Sequence, residues 1–120
     1  MSPRQTHNVI RDLLSALAYM HYNHIIHCDV KMENIKFLKP GIPDHIKLYD
    51  FGSAKFHQRG SDKFHYDMSG SPYFASPEML KGIGYTEKTD IWSAGVVLHK
   101  MLTGVFPFDG KTDIEICKRV

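Results

Sequence analysis

Apolar residues recur at helical spacing in the first quarter of the chain, within the stretch "NVIRDLLSALAYMHYN". The apolar set is Val9, Ile10, Leu13, Leu14, Leu17 and Met20. Residues four apart share one face of an α-helix, so this spacing predicts an amphipathic helix over residues 8–23. Thr6 and Asn8 carry side chains that could cap its start.

Two short apolar stretches of strand-like length follow, "NIKFL" and "HIKLY". They are separated by "KPGIPD", whose proline and glycine residues are typical of a turn. The pattern predicts a small β-hairpin next to the short segment "HCDVKMEN".

Residues 50–78 are polar, contain several glycines and show no period, so a long loop is predicted there. A second helix is predicted over residues 89–104, where apolar residues lie on most sides and burial is expected. Its main stripe consists of Ile91, Ala94, Gly95, Leu98, Met101 and Leu102. Glycine and proline in "GVFPFDG" end it, and "KTDIEICKRV" begins another helical pattern. These elements predict an α+β fold that is mainly α.

Composition narrows the class of protein only slightly. The chain has 120 residues, 42% of them hydrophobic, which is enough for a core. Its formal charge of +2 and its scattered basic residues predict no nucleic-acid partner. The polar start of the chain and the lack of a long apolar run predict neither a signal peptide nor a membrane span. Two cysteines without CxxC spacing indicate reduced thiols, and hence an intracellular protein, cytoplasmic or nuclear.

The candidate chemistry lies in "HCDVKMEN" and in the "DFG" that follows the hairpin. Asp29 and Lys31 are two residues apart and point to one side of an extended backbone, and Asn34 could join them if the loop curls. Asp50 comes directly after a predicted strand. Carboxylate and amide oxygens suit Mg²⁺, a lysine suits phosphate, and a second carboxylate could accept a hydroxyl proton. This set fits phosphoryl transfer.

The order of the motifs is more specific than any one of them. "HCDVKMEN", a hairpin, "DFG", a long loop ending in "GSPYFASPE", and the helix "DIWSAGVVLHKMLTGVFPF" follow one another along the whole chain. Together they resemble the C-terminal lobe of a eukaryotic protein kinase of the serine/threonine type. The resemblance implies a partial lobe, with the N-terminal lobe and the last helices absent. Its parts would be a helix leading to the loop (1–26), a catalytic loop (27–34), a hairpin (35–49), an activation segment (50–78), and the central helix with the start of the next (79–120).

The resemblance implies a role for each catalytic residue. Asp29 would orient the substrate hydroxyl and accept its proton, and Lys31 would neutralise the transferred phosphoryl group. Asn34 and Asp50 would hold Mg²⁺, with ATP as the phosphoryl donor. Lys31 is also the residue type found here in serine/threonine kinases rather than tyrosine kinases.

The resemblance also implies supporting residues. His27 would pack beneath Phe51, the glycine at Gly52 would free the backbone after Asp50, and Asp90 would bind the backbone of the catalytic loop.

Three further residues concern the substrate and the activation segment. Ser71 stands where the family has a threonine that contacts the catalytic loop. Glu33 recurs in kinases that prefer basic residues near the target, so a protein substrate in a basic context is expected. Glu78 has no arginine partner in this chain, and a buried unpaired carboxylate would leave the fold strained or open there.

Three positions depart from the family pattern. Lys36 replaces an apolar residue beneath the adenine. Cys28 replaces an arginine that grips an activation-loop phosphate, and the position most often phosphorylated falls on Asp67. We hypothesise that phosphorylation at this position does not control the protein. The alternative is that Cys28 is simply a small buried residue.

Three functions remain open at this point. The first is a protein serine/threonine kinase, for which the 120 residues alone would be inactive without an ATP-binding N-terminal lobe. The second is a catalytically inactive lobe that acts as a binding or regulatory module. The third is a truncated product without a stable fold. Oligomeric state and the identity of the substrate are not determined by the sequence.

Overall fold

The computed structural model describes all 120 residues. The chain folds into helices and small antiparallel sheets joined by loops. The helices are α1 (Pro3–Tyr22), α2 (Pro77–Leu80), α3 (Lys88–Thr103) and α4 (Asp113–Arg119). The strands are β1 (Ile25–Ile26), β2 (Ile35–Lys39), β3 (Ile42–Leu48) and β4 (Lys55–Phe56). The predicted α+β composition is therefore observed. None of the helices combines the length and the apolar character needed to cross a bilayer.

Helix α1 begins earlier than its apolar pattern indicated. Ser2 is the N-cap: its hydroxyl accepts a hydrogen bond from the backbone N–H of Gln5, whose side chain accepts one from the Ser2 N–H. The predicted caps, Thr6 and Asn8, are therefore wrong, and both residues lie within the helix. The first turn was missed because it is set by this reciprocal capping and not by apolar periodicity.

The hairpin pairs β2 with β3 in antiparallel register, with Ile35 opposite Leu48 and Phe37 opposite Ile46. The turn is tighter than the six-residue connection predicted, because only residues 40 and 41 link the strands. Gly41 has φ 76°, a left-handed conformation that glycine adopts without steric cost. Ile46 packs on the buried face of α1, which fixes the hairpin against that helix.

A second sheet, β1 with β4, joins the residues before and after the hairpin. Ile25 pairs with Phe56, and Ile26 with Lys55. Strand β4 lies inside residues 50–78, which the sequence pattern predicted to be irregular throughout. Two residues are too few to show a period, so a strand of this length cannot be found from the apolar pattern.

Helix α3 buries a different face from the predicted stripe. Its buried residues are Thr89, Asp90, Ser93, Ala94, Val96 and Val97. Ile91 and Leu102, both assigned to the buried stripe, are 45% and 59% exposed. Hydropathy failed here because polar residues of α3 are buried through hydrogen bonds, such as the one that the Ser93 hydroxyl donates to the Phe74 carbonyl at 2.7 Å. Gly104, at φ 79°, caps the helix end.

The core has two parts, and the 27–34 loop contributes Val30 to one and Cys28 to the other. The larger part packs α1, β3 and α3 together around Leu13, Leu17 and Val97. The smaller part consists of Ile26, Cys28, Ala75, Met79 and Tyr85. The loop is therefore attached to both buried clusters.

Candidate active site

A buried carboxylate from α3 anchors the 27–34 loop. Asp90 is 1% exposed, and its two oxygens accept hydrogen bonds from the backbone N–H of His27 (2.8 Å) and of Cys28 (3.0 Å). The Nε2 atom of His21 lies 2.8 Å from the same carboxylate and completes the set of donors. Cys28 adopts φ 68°, a left-handed turn that lets two successive N–H groups meet one acidic side chain. Because three donors satisfy the carboxylate, it can be buried.

His27 connects this loop to the residues that follow the hairpin. Its Nδ1 accepts a hydrogen bond from the Asp29 N–H at 3.1 Å, and its Nε2 lies 2.9 Å from the Tyr49 carbonyl oxygen. An acceptor at Nδ1 and a donor at Nε2 define the neutral tautomer with its proton on Nε2. The ring is fully buried and packs edge-on against Phe51 with 5.3 Å between centroids. His27 thus holds backbone in place and is not open to a substrate.

The structure brings Asp29, Lys31 and Asn34 together, as their spacing predicted. The Asn34 side-chain amide donates to the Asp29 carbonyl oxygen at 2.8 Å and to its carboxylate at 3.3 Å. The Lys31 ammonium lies 3.7 Å from the other carboxylate oxygen, and the Asp29 side chain keeps 13% of its surface exposed. A carboxylate held on both sides but still accessible can accept a proton from a bound hydroxyl group.

Asp50 reaches the same region through the backbone. The Tyr49 N–H donates to the Asn34 carbonyl at 2.7 Å, which places Asp50 next to the end of the loop. Asp50 has φ 61°, and its carboxylate accepts a hydrogen bond from the Gly52 N–H at 3.1 Å. A Cβ at Gly52 would lie only 3.2 Å from that carboxylate oxygen, so glycine allows this tight turn.

The donor chemistry of Asn34 and Asp50 fits Mg²⁺. The Asp50 carboxylate is exposed, and the Asn34 amide oxygen accepts no hydrogen bond within the protein, so both oxygens are available. Mg²⁺ prefers oxygen ligands and is commonly bound through one or two protein groups together with phosphate and water. The chain forms no group of three or more His, Cys, Asp or Glu side chains that could hold a metal by themselves.

Residues 69–71 form the wall that faces Asp29. The Ser69 hydroxyl donates to the Cys28 carbonyl at 3.3 Å, and a Cβ at Gly70 would lie 3.1 Å from the Asp29 carboxylate. Ser71 lines the same small cavity as Asp29, but its hydroxyl makes no hydrogen bond. The observed contact with the loop is therefore made by the two residues before Ser71.

Glu78 and Lys36 do not line the cavity that Asp29 and Ser71 share. Glu78, in α2, makes no side-chain hydrogen bond or ion pair. Its carboxylate is not among the buried atoms without partners, so the strain expected from an unpaired buried charge is not seen. Lys36 is exposed and pairs with Lys47 across the hairpin.

Cys28 and Asp67 have different surroundings. Burial, and then the nearby Asp90 carboxylate, raise the pKa of the Cys28 thiol to about 12. Asp67 is bonded by Lys55 and Tyr85, and the hydrogen bond from Lys55 holds the pKa of its carboxyl below the usual range. Sequence reasoning identified Asp67 but missed both partners, since neither stands within ten residues of it.

Comparison with known proteins gives consistent matches. A model described as the protein kinase domain matches residues 1–120. Serine/threonine-protein kinase dkf-2 of Caenorhabditis briggsae is 37% identical over 115 residues, which cover 96% of this chain and 10% of that protein. Calcium-dependent protein kinase 5 of Plasmodium berghei (strain Anka) is 38% identical over 119 residues, covering 99% of this chain and 21% of that protein. The chain thus spans a small part of the length of each relative.

Proposed function

Because the chain belongs to the protein kinase domain family, we propose that it carries the catalytic residues of a protein serine/threonine kinase. The reaction would transfer the γ-phosphoryl group of ATP to a Ser or Thr hydroxyl of a protein substrate. The fold corresponds, in this proposal, to part of the C-terminal lobe, with residues 27–34 as the catalytic loop and residues 50–78 as the activation segment. Both relatives are named as kinases, which supports the reaction class.

The observation that carries the proposal is the environment of Asp29. Its carboxylate is held by Asn34 and Lys31, is partly exposed, and faces the wall formed by residues 69–71. In this position Asp29 orients a substrate hydroxyl and accepts its proton as the oxygen attacks phosphorus. Lys31 neutralises charge on the transferred group. A buried histidine and a buried aspartate hold the backbone that carries both side chains.

Asn34 and Asp50 are the residues that would hold Mg²⁺. When bound, the ion supplies neutralisation of the charge on the ATP phosphates. The protein's own contribution is to keep the Asn34 amide nitrogen bonded to Asp29, which leaves the amide oxygen available. This arrangement would couple the position of the metal ligand to that of the proton acceptor.

Glu33 bears on the substrate, and the two cysteines bear on the cellular location. Glu33 lies exposed in the short 3-10 turn Met32–Asn34, where a carboxylate could attract a basic residue of a protein substrate. Cys28 and Cys117 are both free thiols, which supports a reducing intracellular compartment.

The test is transfer of phosphate from Mg·ATP to serine- and threonine-containing peptides by the full-length protein, compared with an Asp29→Asn variant. The variant keeps the shape of the side chain but cannot accept a proton, so kcat is expected to fall about a thousandfold. Thermal unfolding of both proteins in the absence of nucleotide serves as the folding control. A variant with wild-type kcat would exclude Asp29 as the proton acceptor.

The same experiment addresses the inactive alternatives. A wild-type protein that transfers no phosphate, and that Mg·ATP does not stabilise against heat, would contradict the kinase proposal. A cooperative unfolding transition would then favour a binding or regulatory module over a product without a stable fold.

A further inference from the structure

A cavity of about 290 Å³ lies where α1, the start of α3 and the residues after β4 meet, and no candidate catalytic residue lines it. Leu14 and Ala18 of α1 and Ile91 of α3 give the cavity an apolar surface. Ligand pockets in proteins usually begin at about 300 Å³, so the space suits a compact molecule rather than a nucleotide. The polar residues around this apolar surface decide which kind of compact molecule it would accept.

Two cations line the cavity without a carboxylate partner. Arg59 and Lys88 form no ion pair with any acidic side chain. The backbone N–H of Arg59 donates to His24 Nδ1 at 3.5 Å, which attaches Arg59 to the turn that follows α1. Lys88 is the first residue of α3, where the helix dipole disfavours a positive side chain. An anion in the cavity would offset both charges.

One carboxylate also lines the cavity, but it already has a partner. The Oε2 atom of Glu87 lies 3.5 Å from His57 Nε2, and the two side chains are 15% and 2% exposed. The His57 Nε2 atom is buried and makes no hydrogen bond, so this carboxylate is the polar group that faces it. Two cations and one carboxylate leave an excess of positive charge around the cavity.

His21 connects the cavity to the anchor of the 27–34 loop. It is 9% exposed and lines the cavity, and its Nε2 lies 2.8 Å from the Asp90 carboxylate that binds the N–H groups of His27 and Cys28. Its other ring nitrogen, Nδ1, makes no hydrogen bond and is not one of the buried atoms that lack a partner, so it keeps contact with solvent. A molecule in the cavity can therefore approach this nitrogen.

An anion beside the Nδ1 atom of His21 would strengthen the anchor. Because Nε2 donates to Asp90, Nδ1 is an acceptor in the neutral ring and a donor in the protonated ring. A negative group next to Nδ1 favours the protonated ring, whose hydrogen bond to the Asp90 carboxylate is charge-assisted and therefore stronger. Occupancy of the cavity would thus stabilise the backbone of residues 27 and 28.

We propose that this cavity is a binding site for a small organic anion. An apolar group of the molecule packs on the surface formed by α1 and Ile91, and its carboxylate or phosphate group lies near Arg59 and Lys88. Bound there, the molecule stabilises the 27–34 loop through the imidazole of His21. Neither the binding nor its effect on the loop rests on the proposed function.

The first test is a titration of the full-length protein, followed by NMR signals of the ligand, with four probes. Benzoate and phenyl phosphate carry both an apolar ring and a charge, inorganic phosphate lacks the ring, and benzamide lacks the charge. We expect at least one aromatic anion to bind with a Kd on the order of 1 mM, and the last two probes to bind at least about tenfold more weakly. The tighter aromatic anion identifies the preferred acidic group. No binding of either aromatic anion, or equal binding of benzamide, would overturn the site.

Variants then locate the bound probe. Ala18→Phe fills the cavity from an exposed position of α1, and Ser15→Phe places the same ring at an exposed position that does not line it. The double variant Arg59→Gln/Lys88→Gln removes both charges, and Lys81→Gln is its control at an exposed lysine elsewhere. Ala18→Phe and the double variant should each raise Kd at least about tenfold, whereas both controls should leave it unchanged. An unchanged Kd in Ala18→Phe and in the double variant would exclude this cavity.

The effect on the loop is measured by amide hydrogen exchange on the same full-length protein. The tighter aromatic anion, at ten times its Kd, should slow exchange of residues 27–29 by up to about tenfold, the limit that mass action sets. Residues 40–43, at the tip of the hairpin, are the internal control and should not change. Unchanged exchange of residues 27–29 in the saturated protein would overturn the link between the cavity and the anchor.

Discussion

The 27–34 loop and segment 50–78 meet at Asp29, but they are held in opposite ways. The loop is fixed by side chains that solvent does not reach: Asp90 is 1% exposed and His27 is fully buried. The middle of the segment is held at Asp67, whose side chain is 59% exposed. The loop is therefore held by buried contacts, whereas the segment combines an exposed contact at Asp67 with a buried end at Phe74 and Ala75.

The physical difference lies in what happens when a contact is lost. A buried donor that loses its partner cannot turn to water, so its loss costs the full desolvation penalty. An exposed ion pair exchanges its partner for solvent at little cost. The same molecule thus has one region that resists change and another that small changes can loosen.

The largest expected effect is the removal of the buried anchor. Asp90→Ala leaves two backbone N–H groups and one imidazole without partners, so we expect the free energy of unfolding to fall by about 3 kcal/mol. Urea denaturation followed by circular dichroism measures this loss. Asp62→Ala, at an exposed carboxylate, is the control and should change the value by less than about 0.5 kcal/mol. Similar losses in both variants would mean that the buried anchor does not stabilise the loop.

A second prediction compares a buried thiol with an exposed one. Burial raises the pKa of Cys28 to about 12, so almost no thiolate forms near neutral pH, while Cys117 is exposed. Iodoacetamide at pH 8 should modify Cys117 at least about a hundredfold faster than Cys28. Peptide mapping by mass spectrometry gives both rates, and both thiols should react in urea. Comparable rates in the native protein would contradict the burial of the Cys28 thiol.

The smallest effect is expected where the two regions touch. Gly70→Ala places a Cβ 3.1 Å from both the Asp29 carboxylate and the Cys28 carbonyl, at φ 76°. Gly60→Ala is the matched control, because Gly60 has φ 80° but no atom within 4 Å of the added carbon. Both should lose about 1 kcal/mol of stability from the backbone conformation. Only Gly70→Ala should also lower kcat/KM for a peptide. An equal loss of kcat/KM in both variants would exclude the contact between residue 70 and the loop as the cause.

How well each feature could be predicted depended on whether neighbouring or distant residues in the sequence determine it. Asp29, Lys31 and Asn34 are close in sequence, and the loop geometry brings them together as their spacing indicated. The start of α1 was misplaced because Ser2 and Gln5 cap each other through side chains. These interactions are local, but the spacing of apolar residues gives no signal for them.

The buried face of α3 was predicted less well. Ile91 and Leu102 looked suited to a core and are exposed, whereas Asp90 is buried because the loop supplies its donors from more than sixty residues away. Hydropathy ranks a side chain by its own chemistry, so it cannot include a partner that folding brings to it.

By itself, the sequence determined the order of the motifs, the α+β composition and the residue types able to serve phosphoryl transfer, because these depend on local spacing and side-chain chemistry. Only the tertiary structure decided that Lys55 and Tyr85 hold Asp67, and that Ser69 and Gly70 are the residues that contact the loop. Those contacts join segments far apart in the chain. Their geometry arises from how β1, β4 and the core position each backbone, which no short stretch of sequence contains.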